Sequence, residues 1–239
     1  MNIAISGSTG RVGREIVKSL SPNYQITPLG RKNGDVPWSL GINPAPEDLQ
    51  AVGAIIHLAW SMYDREKDWH LNVGGTLSLA SIAQKLDIPF LFISSVAALG
   101  DSNYGSSKRA AESNVISMDG SCVRIGIIRG INRYALKSKF INPVLNSKRR
   151  VNFTDYEDLK LYLHLWLTAA ALGETKQQVD TIVSGSEITK VFFRNENQIN
   201  IPVSPTLLEI FTKPGSRFSR RISNSYDALV SLKTTPEIK

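Results

Sequence analysis

A tyrosine and a lysine stand four residues apart in the segment NYGSSK, at Tyr104 and Lys108. If the segment is helical, both side chains lie on one face, about one turn apart. An ammonium group beside a phenol stabilises the phenolate and lowers the pKa of the phenol, which suits it to proton transfer at neutral pH. Ser95 directly follows the apolar run FLFIS, where its hydroxyl could hydrogen-bond the same substrate oxygen. The three residues indicate proton transfer at an oxygen atom, and a solvated helix face is the alternative for the tyrosine and lysine alone.

Glycines recur every three residues in ISGSTGRVG, at Gly7, Gly10 and Gly13. A strand that turns sharply into a helix needs glycine for a positive φ angle and for close approach of the backbone to a pyrophosphate. The N–H groups at the start of that helix would then face the phosphates. The apolar pattern predicts a strand at 2–6 and a helix at 11–20. The segment therefore predicts a dinucleotide-binding turn, with a tight turn that binds no ligand as the alternative.

The end of the next predicted strand bears on which dinucleotide binds. In sites that prefer NAD, an acidic residue about 20 residues past the glycines accepts hydrogen bonds from the adenosine 2′-hydroxyl and repels a 2′-phosphate. This chain has Gly30 there, followed by Arg31 and Lys32. A guanidinium binds a phosphate through paired hydrogen bonds. We therefore predict NADP(H) as cofactor, with NAD(H) as the second choice, and a solvated or adenine-stacking Arg31 as the alternative.

Apolar runs alternate with helical patterns along most of the chain. Strands separated by helices at this spacing form a parallel sheet that is covered on both faces, a doubly wound α/β fold. The predicted strands are 2–6, 24–29, 36–40, 54–59, 90–94, 121–128 and about 180–184. The predicted helices are 11–20, 46–52, 72–86, 104–118 and 155–172. The aromatic residues of the last helix, Trp166 among them, are expected in the core.

The composition sets broad limits on the kind of protein. A chain of 239 residues that is 42% hydrophobic can bury one sizeable core. The N-terminus enters a strand without a basic and apolar leader, and the longest apolar stretches fall short of the roughly 20 residues that cross a bilayer. We therefore expect a soluble, cytoplasmic protein that does not interact with a membrane.

The charged and sulfur-containing residues limit the partners. There are 28 basic and 21 acidic residues, a net charge of +7, which favours an anionic partner. The basic clusters at 147–150 and 216–221 lack the interleaved aromatic residues of a single-strand binding groove, so nucleic acid is not expected. Cys122 is the single cysteine, which excludes an intramolecular disulfide and a cysteine-cluster metal site. We expect a buried thiol and no bound metal.

Six segments, in order along the chain, resemble the motifs of the extended short-chain dehydrogenase/reductases of the NAD-dependent epimerase/dehydratase group. The segments are GSTGRVG at 7–13, HLA at 57–59, NVGGT at 72–76, ISSVAALG at 93–100, YGSSK at 104–108 and RIGIIRG at 124–130. The resemblance implies a Rossmann fold, with Tyr104 as acid/base, Lys108 on the nicotinamide ribose and Ser95 positioning the substrate oxygen. With Arg31 included, the predicted cofactor-binding residues are Gly7, Ser8, Thr9, Gly10, Arg11, Val12, Gly13, Arg31, Leu58, Ala59 and Lys108.

The same resemblance implies a function. It indicates an NAD(P)-dependent oxidoreductase acting on a nucleotide sugar, and an exchangeable NADPH favours a keto reductase. A nucleotide-sugar epimerase is one alternative, and a non-catalytic NAD(P)-binding regulator or scaffold is another. Dehydration is disfavoured, because dehydratases of this family carry an acidic residue soon after the serine, where this chain has SVAALG at 95–100.

The resemblance also suggests how the chain is divided and assembled. We expect a single domain over 1–239, with a Rossmann core mainly from 1–130 and 155–185 and a small C-terminal substrate lobe from the remainder. Many relatives dimerise through the two helices that correspond to 72–86 and 104–118, so a homodimer is a further possibility.

Four other residues receive provisional roles. His57 is expected to pack near the adenosine side of the cofactor or simply to be a buried, hydrogen-bonded imidazole. Asn72 is either the family's asparagine at this position or an ordinary N-cap. Arg149 and Arg150 lie close to where relatives place a diphosphate-binding arginine.

Overall fold

The structure, a computed structural model, describes residues 1–31, 36–61, 65–100, 102–129 and 145–191, with the backbone alone at 65–68, 129, 145–151 and 185–191. The strands are β1 (Asn2–Ser6), β2 (Gln25–Gly30), β3 (Val36–Pro37), β4 (Ala54–His57), β5 (Phe90–Ser95), β6 (Ser121–Ile125), β7 (Ile127–Arg129), β8 (Leu145–Asp155), β9 (Val179–Ile182) and β10 (Gly185–Val191). The α-helices are α1 (Arg11–Leu20), α2 (Arg65–Lys85), α3 (Asn103–Ser117) and α4 (Tyr156–Leu172). Two short 3-10 helices are Pro46–Leu49 and Val96–Leu99.

Seven strands form one parallel sheet in the order β3-β2-β1-β4-β5-β6-β9. The sheet grows from β1 to β3 in one direction and from β4 onward in the other. Such a reversal leaves a crevice at the carboxyl ends of the two strands beside it, here β1 and β4. Ser6, the last residue of β1, pairs in register with His57, the last residue of β4. The doubly wound parallel sheet expected from the sequence is confirmed.

Helices cover both faces of this sheet and bury its apolar strands. On one face, Ile16 of α1 and Leu163 of α4 belong to the same core cluster. On the other face, Leu79 of α2 and Val115 of α3 belong to a second cluster. Trp166 lies in the first cluster, which confirms its predicted place in the core. The two cores therefore pack against both faces of the sheet whose edge carries the ends of β1 and β4.

The predicted strand over 121–128 is wrong in one respect, because it is broken at Gly126 into β6 and β7. The N–H of Gly126 donates to Thr154 Oγ1 at 2.8 Å. A Cβ on Gly126 would lie 2.4 Å from the carbonyl oxygen of Asn152. This close approach of β8 moves β7 into a second sheet of three strands, in the order β10-β8-β7. There β8 runs parallel to β7 and antiparallel to β10.

Most other elements match their predicted positions closely, and β1 and α1 match in full. The α2 helix begins at Arg65, well before the predicted start at Asn72. The β3 strand has two residues and lies at the edge of the sheet, where Pro37 has no N–H to extend the ladder. The predicted helix at 46–52 is a single 3-10 helix.

Two findings concern membranes and metals. Among the residues that the structure describes, no helix is both long and apolar enough to cross a membrane. The same residues contain no group of three His, Cys, Asp or Glu side chains placed to hold a metal ion. The division into a Rossmann core and a C-terminal lobe stays a prediction, because 130–144 and 192–239 lie outside the described residues.

Candidate functional site

The turn after β1 is built from glycines that the backbone itself requires. Gly7 has a φ angle of +72°, and a Cβ on it would lie 2.8 Å from the backbone nitrogen of Ala59. A Cβ on Gly13 would lie 2.1 Å from the carbonyl oxygen of Gly7. For Gly10, which is exposed, the corresponding distance to that oxygen is 3.0 Å. Gly7 and Gly13 therefore shape the turn, while Gly10 is exposed directly before the start of α1.

The α1 helix begins directly after Gly10, which has no side chain to cap it. Its first hydrogen bond runs from the N–H of Arg14 to the carbonyl oxygen of Gly10, at 2.9 Å. The N–H groups of residues 11–13 therefore precede the helical ladder. The first turn holds no acidic residue. A helix start of this kind attracts an anion, so the residues present fit the pyrophosphate of a dinucleotide.

The other predicted cofactor-binding residues lie along the same edge of the sheet. Ser8 and Thr9 complete the glycine turn after β1. Leu58 and Ala59 directly follow β4 and are half-buried. Arg31 directly follows β2, and its side chain is exposed. Because β2 and β4 flank β1, the fold brings residues from three neighbouring strand ends together.

A chain of hydrogen bonds runs through the buried His57 and connects these strand ends to α2. Thr76 Oγ1 donates to the carbonyl oxygen of Asn72 at 2.7 Å, so it accepts from His57 Nε2 at 3.0 Å. His57 Nδ1 then accepts from Ser6 Oγ at 2.5 Å, and Ser6 Oγ accepts from the N–H groups of 58–59. Burial lowers the pKa of His57 to about 3, which agrees with the neutral imidazole that this series of hydrogen bonds requires. His57 is therefore a buried, fully hydrogen-bonded residue that fixes the backbone beside the glycine turn.

Asn72 lies inside α2, so the N-cap role considered for it is wrong. The helix begins at Arg65, and the Asn72 side chain is 2% exposed. Its Oδ1 accepts from the N–H of Ser61 at 2.7 Å, and its Nδ2 donates to the carbonyl oxygen of Ser61 at 2.9 Å. The two bonds hold the segment after β4 against α2.

Ser95 and Tyr104 meet at the carboxyl end of β5. Ser95 is the last residue of β5, and its Oγ accepts from the N–H of Ala97 at 3.2 Å. Its side chain also interacts with the phenol of Tyr104, which favours the phenolate. The α3 helix reaches this point because Gly105 packs tightly on Val96–Leu99: a Cβ on it would lie 2.1 Å from the carbonyl oxygen of Ala97.

The pKa of Tyr104 is raised to about 12. Burial disfavours the phenolate and outweighs the hydrogen bond from Ser95, which favours it. The net shift is therefore opposite to the lowering expected from the spacing of Tyr104 and Lys108. The phenol is protonated at neutral pH.

Lys108 is 3% exposed, and its ammonium lies among aromatic rings. Nζ donates to the carbonyl oxygen of Ile93 at 3.2 Å. It also lies 3.7 Å from the ring centroid of Trp60 and 4.5 Å from that of Phe92. The ring centroid of Tyr104 is 6.0 Å away. The structure therefore brings Ser95, Tyr104 and Lys108 into one cluster, with the cation held in place by a strand carbonyl and aromatic faces.

Sequence reasoning missed two residues beside Lys108. Trp60 meets Tyr104 edge to face, with 6.3 Å between ring centroids, and no spacing rule marks it. Glu112 lies one turn beyond Lys108 on α3. Burial lowers the pKa of Lys108 to about 7, and Glu112 opposes that shift. The i, i+4 spacing from Lys108 is the signal that could have identified this carboxylate.

Two further expectations concern residues away from this cluster. Cys122 is fully buried, as expected, and burial raises the pKa of its thiol. The side chains of Arg149 and Arg150, considered for a substrate diphosphate, lie outside the described residues.

Comparison with known sequences identifies relatives of this chain. The model of the NAD dependent epimerase/dehydratase family matches residues 3–147, more than half of the chain. The UDP-2-acetamido-2,6-beta-L-arabino-hexul-4-ose reductase of Pseudomonas aeruginosa is 28% identical over 122 residues, which are 48% of this chain and 31% of that protein. The match thus spans less than a third of that relative's length.

Solved structures share the fold at low identity. The dTDP-4-dehydrorhamnose reductase from Bacillus anthracis, in complex with NADP, is 20% identical with a TM-score of 0.59, over 77% of this chain and 76% of that one. The UDP-glucuronic acid 4-epimerase from Bacillus cereus, in complex with UDP-glucuronic acid and NAD, is 15% identical with a TM-score of 0.62, over 97% of this chain and all of that one. Six motifs, a doubly wound sheet and the family match agree: the chain belongs to the NAD dependent epimerase/dehydratase family.

Proposed function

We propose that this chain is an NADP(H)-dependent reductase that converts a keto group of a nucleotide sugar to a hydroxyl group. The observation that carries the proposal is the meeting of Ser95, Tyr104 and Lys108 at the sheet edge that also bears the glycine turn. Family membership supports nicotinamide chemistry. The keto-sugar reductase of Pseudomonas aeruginosa supports the substrate class.

Tyr104 is the proton donor in this proposal. When bound, the cofactor supplies a hydride to the carbon that bears the substrate oxygen. The Ser95 side chain interacts with the Tyr104 phenol, so a substrate oxygen placed between them could bond both hydroxyl groups. The phenol is protonated at neutral pH, which is the state that donates to an oxygen gaining negative charge. The oxygen takes the phenolic proton, and Tyr104 regains a proton from solvent.

Lys108 is the cation that assists this transfer. Its ammonium lies on the same face of α3 as the phenol and favours the phenolate that forms when Tyr104 gives up its proton. We also propose that Lys108 binds the nicotinamide ribose, as the family resemblance implies. The pKa of Lys108 is about 7, so the charged form that both roles need is present mainly below neutral pH.

NADP(H) is the proposed cofactor in preference to NAD(H). The glycine turn and the start of α1 would hold the pyrophosphate. Arg31 is exposed at the end of β2, next to Gly30, where NAD-preferring sites have an acidic residue. A cytoplasmic location and a homodimer through α2 and α3 stay predictions.

The decisive experiment incubates the purified chain with each of NADPH, NADH, NADP+ and NAD+ and with a panel of nucleotide sugars on UDP or dTDP, in both keto and hydroxyl forms. Cofactor oxidation is followed by absorbance, and products are identified by mass spectrometry. The reductase proposal requires oxidation of the cofactor and a product heavier by two hydrogen atoms. Tyr104→Phe should abolish it, while Tyr24→Phe, a half-buried tyrosine outside the site, should not.

The same experiment separates the alternatives. An isomer of unchanged mass, formed without net cofactor oxidation, would identify an epimerase, which needs the same tyrosine and lysine. A wild-type chain that binds cofactor but turns over no member of the panel would support the non-catalytic regulator. Unchanged turnover in Tyr104→Phe would overturn the role given to this residue.

A further inference from the structure

One turn beyond Lys108 on α3, a buried ion pair joins the helix to the large sheet. Glu112 is 2% exposed, and both of its oxygens accept from Arg124: Oε1 from Nε at 2.9 Å and Oε2 from Nη2 at 2.6 Å. Oε1 also accepts from Ser94 Oγ at 2.5 Å. Ser94 and Arg124 are paired in register on β5 and β6. The carboxylate is therefore held by two neighbouring strands of the sheet.

Lys108 and Glu112 attach α3 to consecutive residues of β5. Lys108 bonds the carbonyl oxygen of Ile93, and Glu112 bonds the hydroxyl of Ser94. Their i, i+4 spacing places the ammonium and the carboxylate on one face of the helix. The two side chains therefore attach one face of α3 to adjacent residues of β5.

Within the part of the chain that the structure describes, Glu112 supplies the negative charge that acts on this ammonium. The titratable groups around Lys108 and Glu112 are Tyr104 on α3, His57 on β4, and Cys122 and Arg124 on β6. Three of them are neutral at neutral pH, because the pKa values of Tyr104 and Cys122 are raised and that of His57 is lowered. Arg124 is a cation. The Glu112 carboxylate is therefore ion-paired with Arg124, and its charge also acts on Lys108 one turn away.

We propose that Glu112 is a positioning residue of the site, which keeps the Lys108 ammonium charged and in place, and that Arg124 limits how much of the carboxylate's charge acts on Lys108. The inference rests on the proposed function, in which Lys108 is the cation that favours the Tyr104 phenolate. A buried lysine with no counter-ion loses its proton, because burial disfavours the charged form. A neutral Lys108 would give a phenolate no electrostatic support.

The two members of the pair are expected to shift the titration of Lys108 in opposite directions. Glu112→Gln keeps the shape of the side chain and removes the anion, so the midpoint should fall by about one pH unit. Arg124→Gln removes the competing cation and leaves Lys108 as the partner of the carboxylate, so the midpoint should rise. An ion pair that only stabilises the fold would lower stability in both variants and leave the midpoint of Lys108 unchanged.

The experiment is an NMR titration of the full chain labelled with 13C at lysine Cε, without added substrate. Exposed lysines titrate at about pH 10.4, so a lysine signal whose midpoint lies near neutral pH is distinguished from theirs. The disappearance of this signal in Lys108→Met assigns it to Lys108. A lower titration midpoint in Glu112→Gln and a higher one in Arg124→Gln support the inference. An unchanged midpoint, or midpoints that move in the same direction, overturn it.

Two controls keep the test decisive. Glu112→Asp retains the charge, so it should restore most of the wild-type midpoint. If circular dichroism shows that Glu112→Gln is unfolded, Arg124→Gln decides alone: a higher midpoint supports the inference, and an unchanged or lower one overturns it. The titration needs no turnover, so it can fail while hydride transfer is observed, or succeed where no turnover is found.

Discussion

Gly13 and Gly7 are in direct contact across the first turn of the fold, since a Cβ on Gly13 would lie 2.1 Å from the carbonyl oxygen of Gly7. The contact places the start of α1 against the end of β1. A Cβ on Gly10, between them in sequence, would lie 3.0 Å from the same oxygen, a much smaller overlap, and Gly10 is exposed. Gly7 and Gly13 therefore shape the turn, and Gly10 leaves its outer side open.

Gly10→Asp is expected to abolish cofactor binding with little loss of fold. A carboxylate at this position would crowd and repel a pyrophosphate at the start of α1. The dissociation constant for NADPH should rise by at least about 100-fold, which corresponds to roughly 2.7 kcal/mol. Fluorescence titration measures the affinity, and thermal unfolding measures the fold.

Two matched variants separate binding from folding. Gly74→Asp adds the same charge on an exposed part of α2, where a Cβ would have open space, and should leave the affinity unchanged. Gly13→Ala should lower the free energy of unfolding by about 1–3 kcal/mol, because the methyl group overlaps the Gly7 carbonyl. Wild-type affinity in Gly10→Asp would contradict a phosphate site at this turn.

His57 is expected to make the fold sensitive to acid. Its pKa is about 3 in the folded chain and near the ordinary 6.5 when unfolded, so the unfolded chain binds the extra proton between these values. The stability that the neutral imidazole contributes is therefore fully present above pH 6.5 and is lost as the pH falls toward 3. The loss approaches about 1.4 kcal/mol per pH unit within this window.

His57→Gln tests this by urea unfolding at several pH values. The variant should be less stable than wild type at pH 7, because buried hydrogen bonds are lost, but its stability should depend less on pH below 6.5. His70→Gln, at an exposed position on α2, should follow the wild-type curve. Parallel curves for wild type and His57→Gln would show that this imidazole is not the acid-sensitive group.

The sequence predicts the fold best where a local pattern is reinforced by a turn. The bounds of β1 and α1 were predicted in full, because an apolar strand, three glycines and a helical apolar face follow one another in a single segment. The break at Gly126 was not predicted, since isoleucines at 125, 127 and 128 continue the apolar pattern on both sides of it. It depends on the approach of Asn152, which is distant in sequence.

The site shows the same contrast between features set by local sequence and features set by the packing of distant segments. The spacing of Tyr104 and Lys108 identifies the pair, because both lie on one helix. The direction of the Tyr104 pKa shift was wrong, since burial depends on how α3, β4 and β5 pack together. The Glu112–Arg124 pair joins a helix to a strand, so its geometry follows only from the tertiary structure.

Lys108→Met is expected to slow the reduction by at least about 100-fold and to change its pH dependence. In wild type, the rate of reduction should fall as the pH rises through about 7, because neutral Lys108 no longer favours the phenolate. The variant should lack this fall, and its remaining pH dependence should lie at higher pH, where Tyr104 ionises. Profiles of kcat/KM against pH measure this.

Lys85→Met, at an exposed position on α2, is the control for this prediction. A Lys108→Met profile identical to wild type would show that Lys108 does not tune Tyr104.

Cofactor preference is expected to depend on the two residues at the end of β2. Gly30 ends the strand and Arg31 is exposed directly after it, so a guanidinium is available where a carboxylate would select NAD. Wild type should bind NADPH more tightly than NADH by about tenfold or more, since hydrogen bonds to a charged group contribute roughly 1.5–3 kcal/mol.

Gly30→Asp combined with Arg31→Ala should reverse the order, because the new carboxylate accepts from a 2′-hydroxyl and repels a 2′-phosphate. Lys160→Ala, at a lysine on α4 whose side chain is 40% exposed, should leave the order unchanged in the same fluorescence titrations. A wild-type chain that binds NADH at least as tightly as NADPH would show that Arg31 does not select the cofactor, and it would favour the epimerase, which retains NAD through its cycle, over the reductase.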